Sequence, residues 1–307
     1  MVKVVGIVGP TAVGKTALSI QLAKQLHGEV ISGDSMQVYR GLNIGTAKIK
    51  PAEMSGVIHH LIDIRNINER FSVADFQHLA NQLIDEISER GHLPIVVGGT
   101  GFYVQALTDN LALGLDHFDQ QSQVIRSRWH QIAERRGDSY VWDHLKKIDP
   151  AAAQNIPVGN LRRVIRAIEV VEKTGKSFSK QPQRPAKNDF YLIGLNTNRQ
   201  KLYHRINERV DAMIDEGLVT EAHQLYLAGG QGYQAGKGIG YRELFPYFEG
   251  EVSLQQAVDK IKLDSRHYAK RQLTWFRNKM NVHWFDLVGG SSTIEEIASQ
   301  VIEWLQE

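Results

Sequence analysis

The run Gly9-Pro10-Thr11-Ala12-Val13-Gly14-Lys15-Thr16 constrains this chain more than any other stretch. It follows an apolar segment, residues 2–8, and precedes the helix-like Ala17-Leu18-Ser19-Ile20-Gln21-Leu22-Ala23. The spacing G-x-x-x-x-G-K-[ST] between a strand and a helix turns backbone N–H groups inward around phosphate oxygens, brings a lysine toward them and offers a hydroxyl to Mg²⁺. Gly9 through Thr16 are therefore expected to hold a polyphosphate or diphosphate. A bare glycine-rich turn is the weaker reading, because the strand before and the helix after are both in place. What the chain does with that group has to come from the remaining residues.

Composition narrows the classes. A chain of 307 residues with 42% hydrophobic and 23% charged residues reads as an ordinary soluble protein of one large domain or two. It holds no run of about 18 apolar residues, so no membrane span or membrane partner is expected. The apolar N-terminus runs straight into the phosphate loop and is not a signal peptide. With zero cysteines, disulfides, thiolate zinc sites and cysteine nucleophiles are excluded, in keeping with a cytoplasmic location. Net charge is +2, too small to decide anything. Its distribution says more: Lys260, Lys262, Arg266, Lys270, Arg271, Arg277 and Lys279 face Asp264 alone, which points to an anionic partner such as nucleic acid.

In chain order, Glu29-Val30-Ile31-Ser32 reads as a strand ending at Gly33-Asp34-Ser35. In a parallel sheet Asp34 would sit beside the phosphate loop; a turn or helix cap is the equal alternative. Residues 37–51 read as a surface loop. His59 and His60 suggest a metal weakly, for want of a third ligand at a recognisable spacing. Ser72 and Asp75 form a capping box before a helix whose inward face is Phe76, Leu79, Ala80, Leu83, Ile84 and Ile87, with Gly91 past its end. The strand at 93–97 leads to Gly98-Gly99-Thr100-Gly101, placing Thr100 on the same rim, as a site residue or a structural threonine. Residues 115–187 read as a helical insertion, with Arg162, Arg163 and Arg166 opposite Leu161, Ile165 and Ile168. Residues 174–188 read as a mobile loop. A strand at 190–195 completes the sheet, and one long helix is expected over 202–226, with Arg205 and Arg209 on one face as solvated residues or as phosphate clamps. The loop ending Lys237-Gly238-Ile239-Gly240-Tyr241-Arg242 and the helical stretch 270–277 both mix cations with aromatic rings, the materials of a single-strand binding surface. Trp275 and Phe276 are better read as core. A strand at 283–286 and a closing helix follow.

Seven motifs in order carry a resemblance: residues 9–16, Asp34-Ser35-Met36-Gln37-Val38-Tyr39, Gly45-Thr46-Ala47-Lys48, His60-Leu61-Ile62-Asp63, Val97-Gly98-Gly99-Thr100-Gly101, Gly240-Tyr241-Arg242, and Lys270-Arg271-Gln272-Leu273-Thr274-Trp275-Phe276-Arg277. Together they resemble the tRNA dimethylallyltransferase family. The resemblance implies an α/β fold, a P-loop-kinase-like parallel sheet flanked by helices, with core segments at 1–114 and 189–307 and a helical insertion domain at 115–188. It implies a prenyltransferase that moves the dimethylallyl group of dimethylallyl diphosphate to N6 of the adenosine 3′ of the anticodon, with Mg²⁺ required. The partners implied are the anticodon stem-loop of tRNA and the allylic diphosphate; a monomer is expected, since tRNA demands no symmetry.

An adenine amine is a poor nucleophile, and a carboxylate accepting its N–H bond activates it; Asp34 is assigned that part. Lys15, the loop N–H groups and Mg²⁺ on Thr16 would stabilise the leaving diphosphate. By the resemblance, Thr100 and Arg209 add donors around the substrate, Arg209 at the diphosphate. RNA contacts are implied for Asp34, Ser35, Met36, Gln37 and Thr100, for Arg126, for Arg162, Arg163, Val164, Ile165 and Arg166, for residues 237–242, and for residues 270–277. Two departures stand out. Ile49 occupies the place where the family often has proline, delayed here to Pro51, and the chain lacks the cysteines of the C-terminal zinc finger that some relatives carry. A nucleotide phosphotransferase, or a non-catalytic RNA-binding protein with a nucleotide switch, would share the phosphate loop.

Overall fold

Val4 packs into one hydrophobic cluster while its neighbours Val5 and Ile7 pack into another, so the first strand is covered on both faces. In the computed structural model, which describes residues 1–113, 119–180 and 184–307, the strands are β1 (Lys3–Val8), β2 (Gly28–Ser32), β3 (His59–His60), β4 (Leu93–Gly98), β5 (Asp189–Leu195) and β6 (His283–Phe285). Among the described residues they form one six-stranded sheet in the order β3-β2-β4-β1-β5-β6. Every pairing in it is parallel. Residue Val8 stands beside Gly98, and Ser32 beside Val97, so β1, β2 and β4 end nearly level. The chain after β1 crosses to the β2 side and the chain after β4 to the β5 side; the rim between them is where ligands of open parallel sheets bind.

The helices are α1 (Lys15–Gln25), α2 (Pro51–Met54), α3 (Val73–Glu89), α4 (Gly101–Thr108), α5 (Gln120–Arg136), α6 (Asp138–Ile148), α7 (Pro150–Asn155), α8 (Leu161–Thr174), α9 (Arg199–Asp215), α10 (Leu218–Leu227), α11 (Phe245–Phe248), α12 (Leu254–Lys279) and α13 (Ile294–Gln306). On one face α3 buries Phe76, Ala80, Ile84 and Ile87 against Val4, Ile31 and Val96. On the other, Leu18 and Leu22 of α1, Leu202 and Ile206 of α9, and Ile297 and Val301 of α13 cover Val5, Ile7, Val30 and Ile95. The capping box of α3 is present: Ser72 N–H donates to Asp75 Oδ2 at 2.8 Å and Asp75 N–H to Ser72 Oγ at 3.1 Å.

The long helix expected over 202–226 is two. It breaks at Gly217, whose φ of 106° only glycine adopts without strain, and α10 starts in a new direction. The break has a purpose, because Glu221 on α10 then accepts the N–H groups of Asn43 (2.8 Å), Ile44 (3.0 Å) and Gly45 (3.0 Å). The supposed surface loop at 37–51 is thereby pinned, and within it Leu42, Lys48 and Ile49 are buried. Lys48 spends its ammonium on Tyr39 O, Asn43 Oδ1 and Asp63.

Two compact units divide the chain: Met1–Asn110 with Ala186–Glu307, and Leu111–Pro185. The boundary expected at 114–115 lies outside the described residues, as does part of the loop expected at 174–188. The second unit carries α5 to α8 around Ile125, Trp129, Val141, Leu145, Val164, Ile165 and Ile168. Inside it Glu169 is fully buried and holds Arg126 at 2.7 Å and Arg166 at 3.0 Å. Among the described residues no helix is long and apolar enough to cross a membrane.

Candidate functional site

The loop after β1 turns through Ala12 (φ 64°) and Gly14 (φ 98°) into the first turn of α1. That places backbone N–H groups and the positive end of the helix dipole at one point, a ready anion site. Lys15 opens α1, and its Nζ lies 2.6 Å from Pro10 O and 3.1 Å from Gly9 O. Burial pulls its pKa down, the nearby Arg209 adds to this and Asp34 opposes it; the outcome is about 7. The i, i+4 arginines of α9 both reach the loop: Arg205 Nε donates to Ala12 O at 2.9 Å, and Arg209 Nη1 to Thr11 Oγ1 at 3.2 Å. Burial depresses the Arg209 pKa as well, offset by Asp34. Lys15, Arg205 and Arg209 thus crowd one loop. Such positive charge is costly in the absence of an anion.

Across the rim, Asp34 Oδ1 accepts the N–H groups of Met36 (2.8 Å) and Gln37 (3.4 Å), an Asx-type turn that fixes the carboxylate and leaves Oδ2 unused among the described residues. Thr100 at the head of α4 accepts Ser35 N–H at 3.2 Å and donates to Ser35 Oγ at 3.4 Å. The two loops meet so closely that a Cβ on Gly98 would stand 2.4 Å from Gly33 O, so no side chain fits there. Gln37 turns its amide inward, to Ser32 Oγ at 3.0 Å and to Thr46 O and Ala47 O at 3.3 Å.

The phosphate loop, Asp34, Ser35, Gln37, Arg205 and Arg209 line one cavity of about 800 Å³, together with Met36, Lys237, Gly238, Ile239, Gly240, Arg242, Tyr268, Arg271 and Gln272, whereas Thr100 stands behind Ser35 and is not among the lining residues. Phosphate loop, Asp34, Arg209 and the predicted 237–242 segment therefore converge. Tyr268 was missed by the sequence reading. Burial, with the charge of Asp34 beside it, pushes its pKa up to about 12, so its hydroxyl is neutral at pH 7. The available signal was helical: Tyr268 stands one turn before Gln272 on the inward stripe of α12.

Other predicted residues lie elsewhere. The Tyr241 ring is fully buried and its hydroxyl donates to Glu221 at 2.7 Å, so it braces the 43–45 loop and is unavailable for stacking. Phe276, Val164 and Ile165 are core, which leaves contact with any partner to their exposed neighbours. Leu273 packs half-buried against the α1-side cluster. Exposed Arg162 and Arg163 stand on α8, whereas Arg126 and Arg166 clasp Glu169. Lys270, Arg271, Thr274 and Trp275 line a separate groove of about 520 Å³ on α12. Arg277 lies over the Trp284 ring at 5.7 Å. The basic run is partly neutralised, since Lys260 pairs with Asp264 and Lys262 with Asp211.

For a metal, the described residues contain no cluster of three His, Cys, Asp or Glu side chains. His59 bonds Val57 O, and His60 bonds Glu29. Thr16, exposed in the first turn of α1, is the hydroxyl that fits a hard cation whose remaining ligands are phosphate oxygens and water.

The sequence model of a family described as IPP transferase matches residues 37–279. Over 307 residues the chain is 66% identical to the tRNA dimethylallyltransferase of Limosilactobacillus fermentum and 63% identical to that of Limosilactobacillus reuteri, each alignment covering 100% of both chains. Among solved structures, the full-length tRNA isopentenylpyrophosphate transferase from Bacillus halodurans matches with a TM-score of 0.75 at 50% identity, over 100% of this chain and 97% of that one. A eukaryotic dimethylallyltransferase acting on tRNA matches with a TM-score of 0.83 at 28% identity, over 100% of this chain and 80% of that one.

Proposed function

The chain belongs to the IPP transferase family, and from that premise we propose that it transfers the dimethylallyl group of dimethylallyl diphosphate to N6 of the adenosine 3′ of the anticodon in tRNA. The observation that carries the reading is the convergence of a cation-crowded diphosphate loop and a fixed carboxylate in one cavity. The phosphate end takes the leaving group; the Asp34 end takes the amine.

In the reaction the N6 lone pair forms a bond to C1 of the allyl group while the C1–O bond breaks, and the diphosphate leaves with that electron pair. The N6 proton passes to Asp34 Oδ2. Charge gathers on the departing oxygen, and Lys15, Arg205, Arg209 and the loop N–H groups are set around that point before the reaction begins. Thr16 would hold Mg²⁺, which would supply Lewis-acid neutralisation of the departing diphosphate. Thr100, hydrogen-bonded to Ser35, steadies the turn that carries Asp34. To reach the cavity the base must leave its stack at a cost of about a few kcal/mol, offset by pocket contacts and by cations on the RNA backbone. Exposed Lys237, Arg242, Lys270 and Arg271 at and beside the mouth suit that second task.

The test is incubation with Mg²⁺, unmodified tRNA and labelled dimethylallyl diphosphate, with ATP added to a parallel sample. The expected result is label on the adenosine 3′ of the anticodon without ATP. Phosphoryl transfer from ATP with no label in RNA overturns the proposal.

A further inference from the structure

Gln272 sits in the stretch the sequence reading gave to RNA contact, yet it is 5% exposed and both ends of its amide are used inside the protein. Its Oε1 accepts the N–H of Thr11 in the phosphate loop at 3.1 Å, and its Nε2 donates to Gly99 O in the loop after β4 at 2.9 Å. Those partners lie 261 and 173 positions away along the chain. Among side chains of this length, only a primary amide offers a donor and an acceptor side by side in this way. The space is shaped for it, since a Cβ on Gly99 would stand 2.2 Å from Nε2. One turn earlier on α12, Tyr268 lines the same cavity as Gln272. Lys270 and Arg271, on the two preceding positions, are exposed and line the outer groove.

We infer that Gln272 is a positioning residue that couples RNA docking on the outer face of α12 to the set of the phosphate loop and of the loop carrying Thr100. The inference rests on the function proposed above. A helix is stiff, so a shift of α12 when its cations meet the RNA backbone is passed through one amide to the Thr11 N–H at the diphosphate and, through Gly99, to the Thr100 side of the rim. Coupling between two ligands is reciprocal: diphosphate tightens RNA binding by the factor by which RNA tightens diphosphate.

The experiment measures by calorimetry, at one salt concentration, the Kd of inorganic diphosphate with and without a saturating anticodon stem-loop, in the full-length wild type and in Gln272→Met. The wild type is expected to show coupling of about fivefold or more. In Gln272→Met the factor falls to near one, while affinity for the stem-loop alone stays within about threefold, because the exposed cations are untouched. If Gln272→Met loses its melting transition, Gln272→Glu carries the same measurement; it keeps the acceptor for Thr11 N–H, loses the donor for Gly99 O and is expected to lose the coupling too. A wild-type factor of one, an unchanged factor in the variant, or a tenfold loss of stem-loop affinity with coupling intact overturns the inference. Product formation by the wild type in the labelling assay separates these outcomes from failure of the function itself.

Discussion

Lys15 rests its ammonium on the carbonyl oxygens of Gly9 and Pro10, beside Arg209, and its pKa of about 7 has a consequence for ligand binding. Above that pH the unliganded lysine is mostly neutral, and an arriving diphosphate must restore its charge by drawing in a proton. Affinity for diphosphate should therefore fall as pH rises above about 7, by at most about tenfold per pH unit for one proton. Calorimetry at pH 8 in buffers of unlike ionisation enthalpy reads the uptake; equal heats in all buffers would refute it. The same shift acts on the unliganded fold with the opposite benefit: the unfolded chain holds this proton more tightly, so stability rises between about 7 and 10.5. Asp34 makes a different forecast. Asp34→Asn keeps the acceptor for Met36 N–H but loses the base, so kcat should drop by about 10²- to 10⁴-fold with tRNA Kd little changed. Normal turnover in that variant would remove Asp34 from the mechanism.

At the scale of elements, α9 acts through one pair of side chains a turn apart. Arg209→Ala should lower kcat/KM for the allylic diphosphate by about 10- to 100-fold, the worth of a charge-assisted hydrogen bond, and Arg209→Lys should restore little because one bond direction is fixed by Thr11. Steady-state kinetics with varied diphosphate substrate decides it. This element also marks the limit of what the sequence makes legible. Strands, the α3 cap and the phosphate loop are written in local spacing and can be read from adjacent residues. The break at Gly217 cannot, because the apolar positions Val210, Ile214, Leu218 and Ala222 keep i, i+4 spacing across it. Tyr241 and Gln272 look like RNA-binding residues for a similar reason: their polar ends are claimed by Glu221, Thr11 and Gly99, partners that only the folded chain brings near. The rim holding Lys15, Asp34 and Thr100 was legible because parallel-sheet topology places strand ends together without long-range detail.

For the molecule as a whole, reactivity and stability occupy opposite ends of the sheet. At the start of β2, Glu29 is buried, and burial alone would raise its pKa; hydrogen bonds from Arg90, His60 and His92 outweigh this and hold it at about 2. Its contribution to stability is complete above about 4.5 and is lost as pH falls through about 2. Glu29→Gln should cost about 3 kcal/mol at neutral pH, leaving Arg90 short of a charge, and should flatten the acid limb of the stability curve measured by denaturant titration. At the other end, Arg271→Ala should weaken tRNA binding evenly across sequences and reduce the salt slope by about one. The level ending of β1, β2 and β4 sets a last condition on the chain. Removing a single residue from β4 would draw Thr100 back by about 3.3 Å, beyond hydrogen-bond reach of Ser35, while Lys15 and Asp34 stayed where β1 and β2 put them. The three strands serve as a gauge cut to length, and this protein can lengthen or shorten only away from those strand ends.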